Sequence, residues 1–124
     1  MIPKFRAWDE KHNEMIRVVS INFDEKFVRG LTEVESYLDI ESSYNFKDIE
    51  LLQSTGLKDK NDIEIFEGDI VKDFYDFNFE VVSSPAGTWN IVNGKGGKKL
   101  ADCEFDVEII GNKFENSDIQ VYSY

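Results

Sequence analysis

Along much of the chain hydrophobic and polar residues alternate with a period near two, the pattern of half-buried strands. In residues 4–8, Phe5 and Ala7 fall on one side and Lys4, Arg6 and Trp8 on the other. A polar turn, residues 9–13, leads into residues 15–23, where Met15, Arg17, Val19, Ile21 and Phe23 share a face. The two segments read as an N-terminal β-hairpin. Asp24-Glu25-Lys26 is the next turn, and residues 27–31 are a third strand. Thr32-Glu33-Val34-Glu35 has the spacing of a capping box, so a short helix is predicted there, with Val34, Tyr37, Leu38 and Glu41 as its stripe. Ser42-Ser43-Tyr44-Asn45 reads as loop.

The middle of the chain is punctuated more often. Residues 49–53 form a short apolar strand ended by Ser54-Thr55-Gly56. Asp59-Lys60-Asn61-Asp62 is a tight polar turn, followed by Ile63 and Ile65 alternating with Glu64. Glu67-Gly68-Asp69 is a turn in which glycine takes positive φ at little steric cost and Asp69 accepts hydrogen bonds. Residues 70–77 read as a strand, continued by 79–82 beyond a break at Asn78. Residues 83–87 connect strands, residues 88–92 are a short strand carrying Trp89, and Asn93-Gly94-Lys95-Gly96-Gly97 is a mobile loop by composition. Val107, Ile109 and Ile110 form a late strand ended by Gly111-Asn112. Many short strands with frequent turns predict a mainly β domain, a small barrel or sandwich, with at most one or two short helices.

Composition supports this reading and narrows the function. The 124 residues suit one domain, and 14% aromatics, led by ten Phe and five Tyr, favour pleated surfaces. Fourteen basic against 25 acidic residues give a net charge of −11, which disfavours direct binding to nucleic acid or to anionic membranes. Cys103 is the single cysteine, so no intramolecular disulfide forms and a reducing compartment is expected. With no signal-like apolar core at the N-terminus and no apolar run near ~20 residues, the expected location is the cytoplasm.

Candidate chemistry is sparse. His12 is the sole histidine and lies in a polar turn; with one cysteine it cannot assemble a zinc site, and no nucleophile elbow supports a triad through it. Cys103, beside Ala101 and Phe105, reads as a small apolar filler rather than a nucleophile paired with His12. Asp59, Asn61 and Asp62 start like a calcium loop, but Ile63, Glu64 and Ile70 occupy positions five, six and twelve, so the spacing fails. Glu64, Glu67 and Asp69 read as solvated turn carboxylates. Gly94-Lys95-Gly96-Gly97-Lys98-Lys99 lacks Walker spacing, yet Lys95, Lys98 and Lys99 are the one place for an electrostatic contact with a phosphate or an acidic partner. These residues define no catalytic group, no metal ligands and no cofactor.

Three segments go further. They are Lys4-Phe5-Arg6-Ala7-Trp8-Asp9; Leu52-Gln53-Ser54-Thr55-Gly56-Leu57-Lys58-Asp59-Lys60-Asn61 followed by Glu64-Ile65-Phe66-Glu67-Gly68-Asp69-Ile70-Val71; and Val107-Glu108-Ile109-Ile110-Gly111-Asn112-Lys113-Phe114-Glu115-Asn116. In this order and spacing the chain resembles the YopX family of small phage and prophage proteins. The resemblance is weaker over residues 32–43 and 73–103. It implies a mainly β, SH3-like barrel-type domain over residues 1–124, with 83–103 a variable connecting region and 117–124 a C-terminal tail. It also implies a phage or mobile-element origin, hence a bacterial cytoplasm, and no established activity. The residues that carry it, Phe5, Arg6, Trp8, Thr55, Gly56, Leu57, Gly68, Asp69, Gly111 and Asn112, have a structural reading as core and turn positions. Family members commonly carry Asn-Gly at Asn61-Asp62, and Pro where this chain has Ser117; Asp takes positive φ less easily than Gly.

The function expected first is therefore a non-enzymatic binding or assembly module of a phage or prophage. An acidic inhibitor or DNA mimic occupying a basic host or phage protein comes second, and a small metal-dependent hydrolase third. His12 and Cys103 are expected to be dispensable. Phe74, Tyr75, Phe77, Phe79, Val81 and Val82 crowd one stretch, and a barrel interior takes about half of a strand's side chains. The remainder predicts a homo-oligomer held through Phe74, Tyr75, Phe77 and Phe79, or through a tail strand with Ile119, Val121, Tyr122 and Tyr124.

Overall fold

The computed structural model describes residues 4–35, 38–119 and 121, with the backbone alone at 33–35 and 38–39. The described chain is mainly β, in two antiparallel sheets, with two one-turn 3-10 helices. By contacts it divides into two compact units, residues 1–53 and 54–124.

The first unit holds β1 (Phe5–Asp9), β2 (Glu14–Asn22), β3 (Phe27–Glu35), β4 (Leu38–Asn45), a 3-10 turn at Phe46–Asp48 and the start of β5 (Glu50–Lys58). Its strand order is β4-β3-β2-β1-β5, all antiparallel. The expected N-terminal hairpin is present, with Ala7 opposite Ile16 and Trp8 opposite Met15. Asp9 is buried and closes the turn by accepting from the His12 backbone N–H at 3.3 Å and lying 2.8 Å from His12 Nδ1. Gly30 faces Ile16: a Cβ there would strike the Ile16 Cγ2 methyl, so only glycine lets β3 lie against β2 at this point.

The helix expected from residue 32 is not formed. β3 runs to Glu35, and Thr32 pairs with Ile40 and Leu31 with Glu41 across a long hairpin. Ser42, Ser43, Tyr44 and Asn45, expected as loop, pair with Gly30, Arg29, Val28 and Phe27. Partners along the whole of β3 satisfy the backbone groups that a capping box would have served, so tertiary pairing overrides the local signal.

The second unit holds the rest of β5, then β6 (Glu64–Phe66), β7 (Asp69–Lys72), β8 (Asn78–Ser83), β9 (Trp89–Asn93), β10 (Gly96–Lys99), a 3-10 turn at Leu100–Cys103 and β11 (Glu108–Asn112). β7 to β10 form a meander, and β11 returns beside β7, giving the order β10-β9-β8-β7-β11. No closed barrel is found among the described strands. Ile65, Val71, Phe79, Val81, Ile91, Leu100, Cys103 and Val107 form the core of this unit. The Asp59 carboxylate, fully buried, accepts from the backbone N–H groups of Asn61 (2.9 Å), Ile63 (3.0 Å) and Ile109 (3.0 Å), tying the polar turn to the start of β11.

Three boundaries differ from the sequence reading. Ser54-Thr55-Gly56 does not end a strand; β5 continues to Lys58 through a register shift, with Gly56 at φ 75°. The strand expected over 70–77 stops at Lys72, and Asn78 opens β8 rather than breaking it. The Gly-rich segment expected as a mobile loop is the turn and second strand of the β9–β10 hairpin, with Gly96 opposite Asn93 and Lys99 opposite Asn90.

Candidate contact face on the second unit

The segment between β7 and β8 is a turn built on one carboxylate. Asp73 is buried, and its Oδ1 accepts from the backbone N–H groups of Tyr75 and Phe77, both at 2.9 Å. The main chain adds two more bonds: Asp73 donates to the Phe77 carbonyl and Asp76 to the Asp73 carbonyl, each at 3.0 Å. An aspartate that mimics a backbone turn this way fixes the loop without needing apolar cover. The two residues at the tip are consequently displayed: Phe74 is 85% exposed and Tyr75 73%, their rings edge to face at 5.4 Å. Phe77 is 45% exposed.

The β9–β10 hairpin lies beside this turn. Lys98 Nζ is 3.3 Å from Asp73 Oδ2 and 5.2 Å from the centroid of the Phe79 ring, so it pins the turn from the other side. Lys95 and Lys99 carry no ion pair among the described residues. A hollow of about 260 Å³ is lined by Phe77, Phe79, Asn93 and Lys95-Gly96-Gly97-Lys98. A second, of about 350 Å³, runs under Phe74 and Tyr75 towards Asp102, Cys103 and Asp106. The structure thus brings together the aromatic stretch and the lysine segment that the sequence singled out separately. Phe79 itself belongs to the core, with only 8% of it exposed, because β8 points it inward; of the four residues expected at an interface, Phe74, Tyr75 and Phe77 are on the surface. Of the tail, Ile119 is half-buried and its N–H donates to the Asn116 carbonyl; Tyr122 and Tyr124 lie outside the described residues.

The other singled-out residues hold the fold. Phe5, Arg6 and Trp8 are in β1. Thr55 Oγ1 donates to the Ile65 carbonyl at 2.7 Å and accepts from the Leu57 N–H, holding the irregular pairing of β5 with β6, while Leu57 packs on the core. Gly68, at φ 87°, donates to the Val81 carbonyl, and Asp69 Oδ2 accepts from the Phe66 N–H at 2.8 Å. Asn112 Oδ1 caps the turn after β11 by accepting from Phe114 and Glu115, and Asn116 Oδ1 accepts the Asn112 N–H in return. A Cβ on Gly111 would meet Asn116 Oδ1 at 2.6 Å.

His12 borders a polar hollow of about 490 Å³ in the first unit, with Glu14, Ser43, Tyr44 and Asp48 around it. Burial pushes the Cys103 thiol above its ordinary pKa, partly opposed by Lys98, and its Sγ lies 3.4 Å from the Leu100 carbonyl. A thiol held protonated in this way is a poor nucleophile. Among the described residues no group of three or more His, Cys, Asp or Glu is placed to hold a metal ion. No helix among them is long and apolar enough to cross a membrane. The buried Asp59 and Asp73 were not singled out as anchors by the sequence reading; the available signal was an Asp opening a polar turn two residues before an amide it can bond.

Comparison with known proteins gives a consistent placement. The crystal structure of protein EF1440 from Enterococcus faecalis is similar at a TM-score of 0.67 and 26% identity, covering 95% of this chain and 97% of that one. No curated protein matches. A family model described as YopX protein matches residues 4–119, a span that takes in all three segments of the sequence resemblance; the chain belongs to the YopX family.

Proposed function

We propose that this protein is a phage or prophage accessory protein that works by binding rather than catalysis, in the cytoplasm of a bacterial host, and that copies of it associate through the face built on the Asp73 turn. The observation that carries the reading is the tip itself, Phe74 and Tyr75 held out to solvent on a backbone pinned by a buried carboxylate. Aromatic rings on a preorganised loop gain contact area at little entropic cost. A second copy is the favoured occupant because the face is electrostatically two-sided. Lys95 and Lys98 line the hollow on one side, and the exposed Asp102 and Asp106 line the hollow on the other, with Lys98 between the two. A two-fold axis sets one flank against the other. We read the second unit as an opened SH3-like barrel; the four-strand meander, the 3-10 turn and a fifth strand returning beside the first support this.

Light scattering across a salt series tests the association. With −11 per chain opposing it, mass should rise as salt screens the repulsion. Phe74→Ser with Tyr75→Ser should hold the protein monomeric throughout. A monomer at every ionic strength and high concentration, or a double variant that associates like the parent, overturns the reading.

A further inference from the structure

We propose that the free edge of β10 takes an extended acidic peptide segment as a sixth strand, with one apolar side chain of that segment seated in the Phe77–Phe79 hollow. This goes beyond self-association: it draws on the sheet edge and on lysines that border the association face, but not on Phe74 and Tyr75 at the Asp73 tip.

β10 is the outer strand of its sheet, and all four of its residues are exposed. In an antiparallel pair alternate residues turn both N–H and C=O away from the partner, so about half of the β10 backbone groups face outward, ready for another strand. Gly96 and Gly97 place no side chain over them. A Cβ at Gly97 would press on Val92 Cγ1 at 2.9 Å and on the Ile91 carbonyl at 3.0 Å, so the close approach of β9 requires glycine at that position, while Gly96 is at φ 144° with open space around it. Strand addition of this kind draws affinity from main-chain bonds and specificity from pockets for alternate side chains. The hollow beside the edge supplies such a pocket. At about 260 Å³ it falls below the ~300–1,000 Å³ of sites for whole small molecules and suits a single side chain on an aromatic floor.

Charge selects the occupant. Lys98 is engaged by Asp73, but among the described residues Lys95, in the turn just before the strand, and Lys99, its last residue, carry no ion pair, on a protein whose net charge is otherwise strongly negative. A second β10 edge would set lysine against lysine and be repelled, whereas carboxylates on an incoming strand find partners at both ends. The same lysines that protect the edge against self-pairing therefore admit an acidic strand.

The test uses the full chain at a concentration where it is monomeric, titrated with a fluorescein-labelled peptide, Asp-Glu-Val-Phe-Glu-Asp, and read by anisotropy and by amide exchange. Saturable binding is expected, with slowed exchange at alternate residues of β10. Lys95→Glu with Lys99→Glu should weaken it at least tenfold, while Lys11→Glu with Lys47→Glu, in the first unit, should change it less than twofold. N-methylation of alternate peptide amides should abolish binding in one register and spare it in the other. No binding, equal loss in both lysine pairs, or indifference to both methylation patterns overturns the proposal. Phe74→Ser with Tyr75→Ser should leave peptide binding intact, so this result and the association result succeed or fail separately.

Discussion

Gly68→Ala is the sharpest probe of how the family's central motif works. Gly68 sits at φ 87°, where a side chain costs about 1–2 kcal/mol. Stiffening the unfolded chain returns about 0.4–1 kcal/mol. The added Cβ would also lie 2.7 Å from Phe114 Cε2. Optimal carbon contacts are about 3.5–4.0 Å, so the ring must retreat by most of an ångström. Such overpacking costs about 1–3 kcal/mol. The backbone that carries the ring is held, so the ring yields only by turning about its own side-chain bonds. Lys113, next to it, donates to the Gly68 carbonyl at 2.9 Å, and Asn112 Oδ1 holds the Phe114 N–H at 3.0 Å. The sum is a loss of about 1–4.5 kcal/mol from the second unit, centred near 3. A urea titration read at the Val71 and Val81 amides by NMR reports on that unit's core. In a Phe114→Ala background the steric part disappears, so Gly68→Ala should there cost about 1 kcal/mol or less. A cost below about 0.5 kcal/mol in the parent, or the same cost in both backgrounds, refutes the reasoning.

The remaining predictions concern the turns and the thiol. Asp59→Ala takes the shared acceptor from three backbone N–H groups, two of them on the exposed residues Asn61 and Ile63, and should lower the stability of the second unit by about 1–3 kcal/mol in the same titration, with Asp59→Asn losing less because its amide oxygen still accepts. Asp62 is at φ 64° and its ion pair to Lys58 is exposed, so Asp62→Gly should exceed Asp62→Ala in urea midpoint by about 1 kcal/mol of stability. The raised Cys103 pKa means the folded state holds the thiol proton more tightly than the unfolded state. That contribution is full at neutral pH and is lost as pH rises past the unfolded thiol's value, about 8.5, through the folded one. The stability of the parent relative to Cys103→Ala should therefore fall between pH 7 and pH 10, and a constant difference contradicts the burial argument.

How legible this was in the sequence depended on where the deciding interaction lay. Local chemistry was readable: Gly68 and Asp69 make the turn their types suggest, and Asp59 to Asp62 form the tight polar turn expected. Alternation found the strands β1 and β2 but not their faces: Ile16 is in the core, Val19 and Phe23 are exposed, and the register of β2 shifts between Val18 and Ser20, so Met15 to Phe23 do not keep one face. It failed at residues 32–45, where the capping-box spacing is satisfied but the long β3–β4 pairing is worth more, and that pairing is invisible locally. It failed again at Asp73. Phe74, Tyr75 and Phe77 carry strand propensity, so the apolar pattern runs on past Lys72, yet a single carboxylate bonding two amides turns the chain. The candidate contact face was half legible. Its aromatics and its lysines were both noticed, but their adjacency arises from the β7–β8–β9–β10 meander and from Lys98 reaching Asp73, neither of which leaves a trace in spacing.

The two sets of singled-out residues divide the work of this chain. Those that carry the family resemblance, from Thr55 through Gly68 and Asp69 to Gly111 and Asn112, are turn anchors whose hydrogen bonds close within the fold. The exposed aromatics and the lysine hairpin fall in residues 73–103, where the resemblance is weak. A scaffold with its turns locked by buried side chains tolerates change at the tips it displays, and the tips are where a partner is met. Asp73 joins the two roles. Its backbone bonds shape the turn and its ion pair to Lys98 ties the turn to the β9–β10 hairpin, so one side chain serves both. Because Phe74 and Tyr75 are largely in solvent, they can be replaced without touching the core, and their loss would separate the proposed contact from stability.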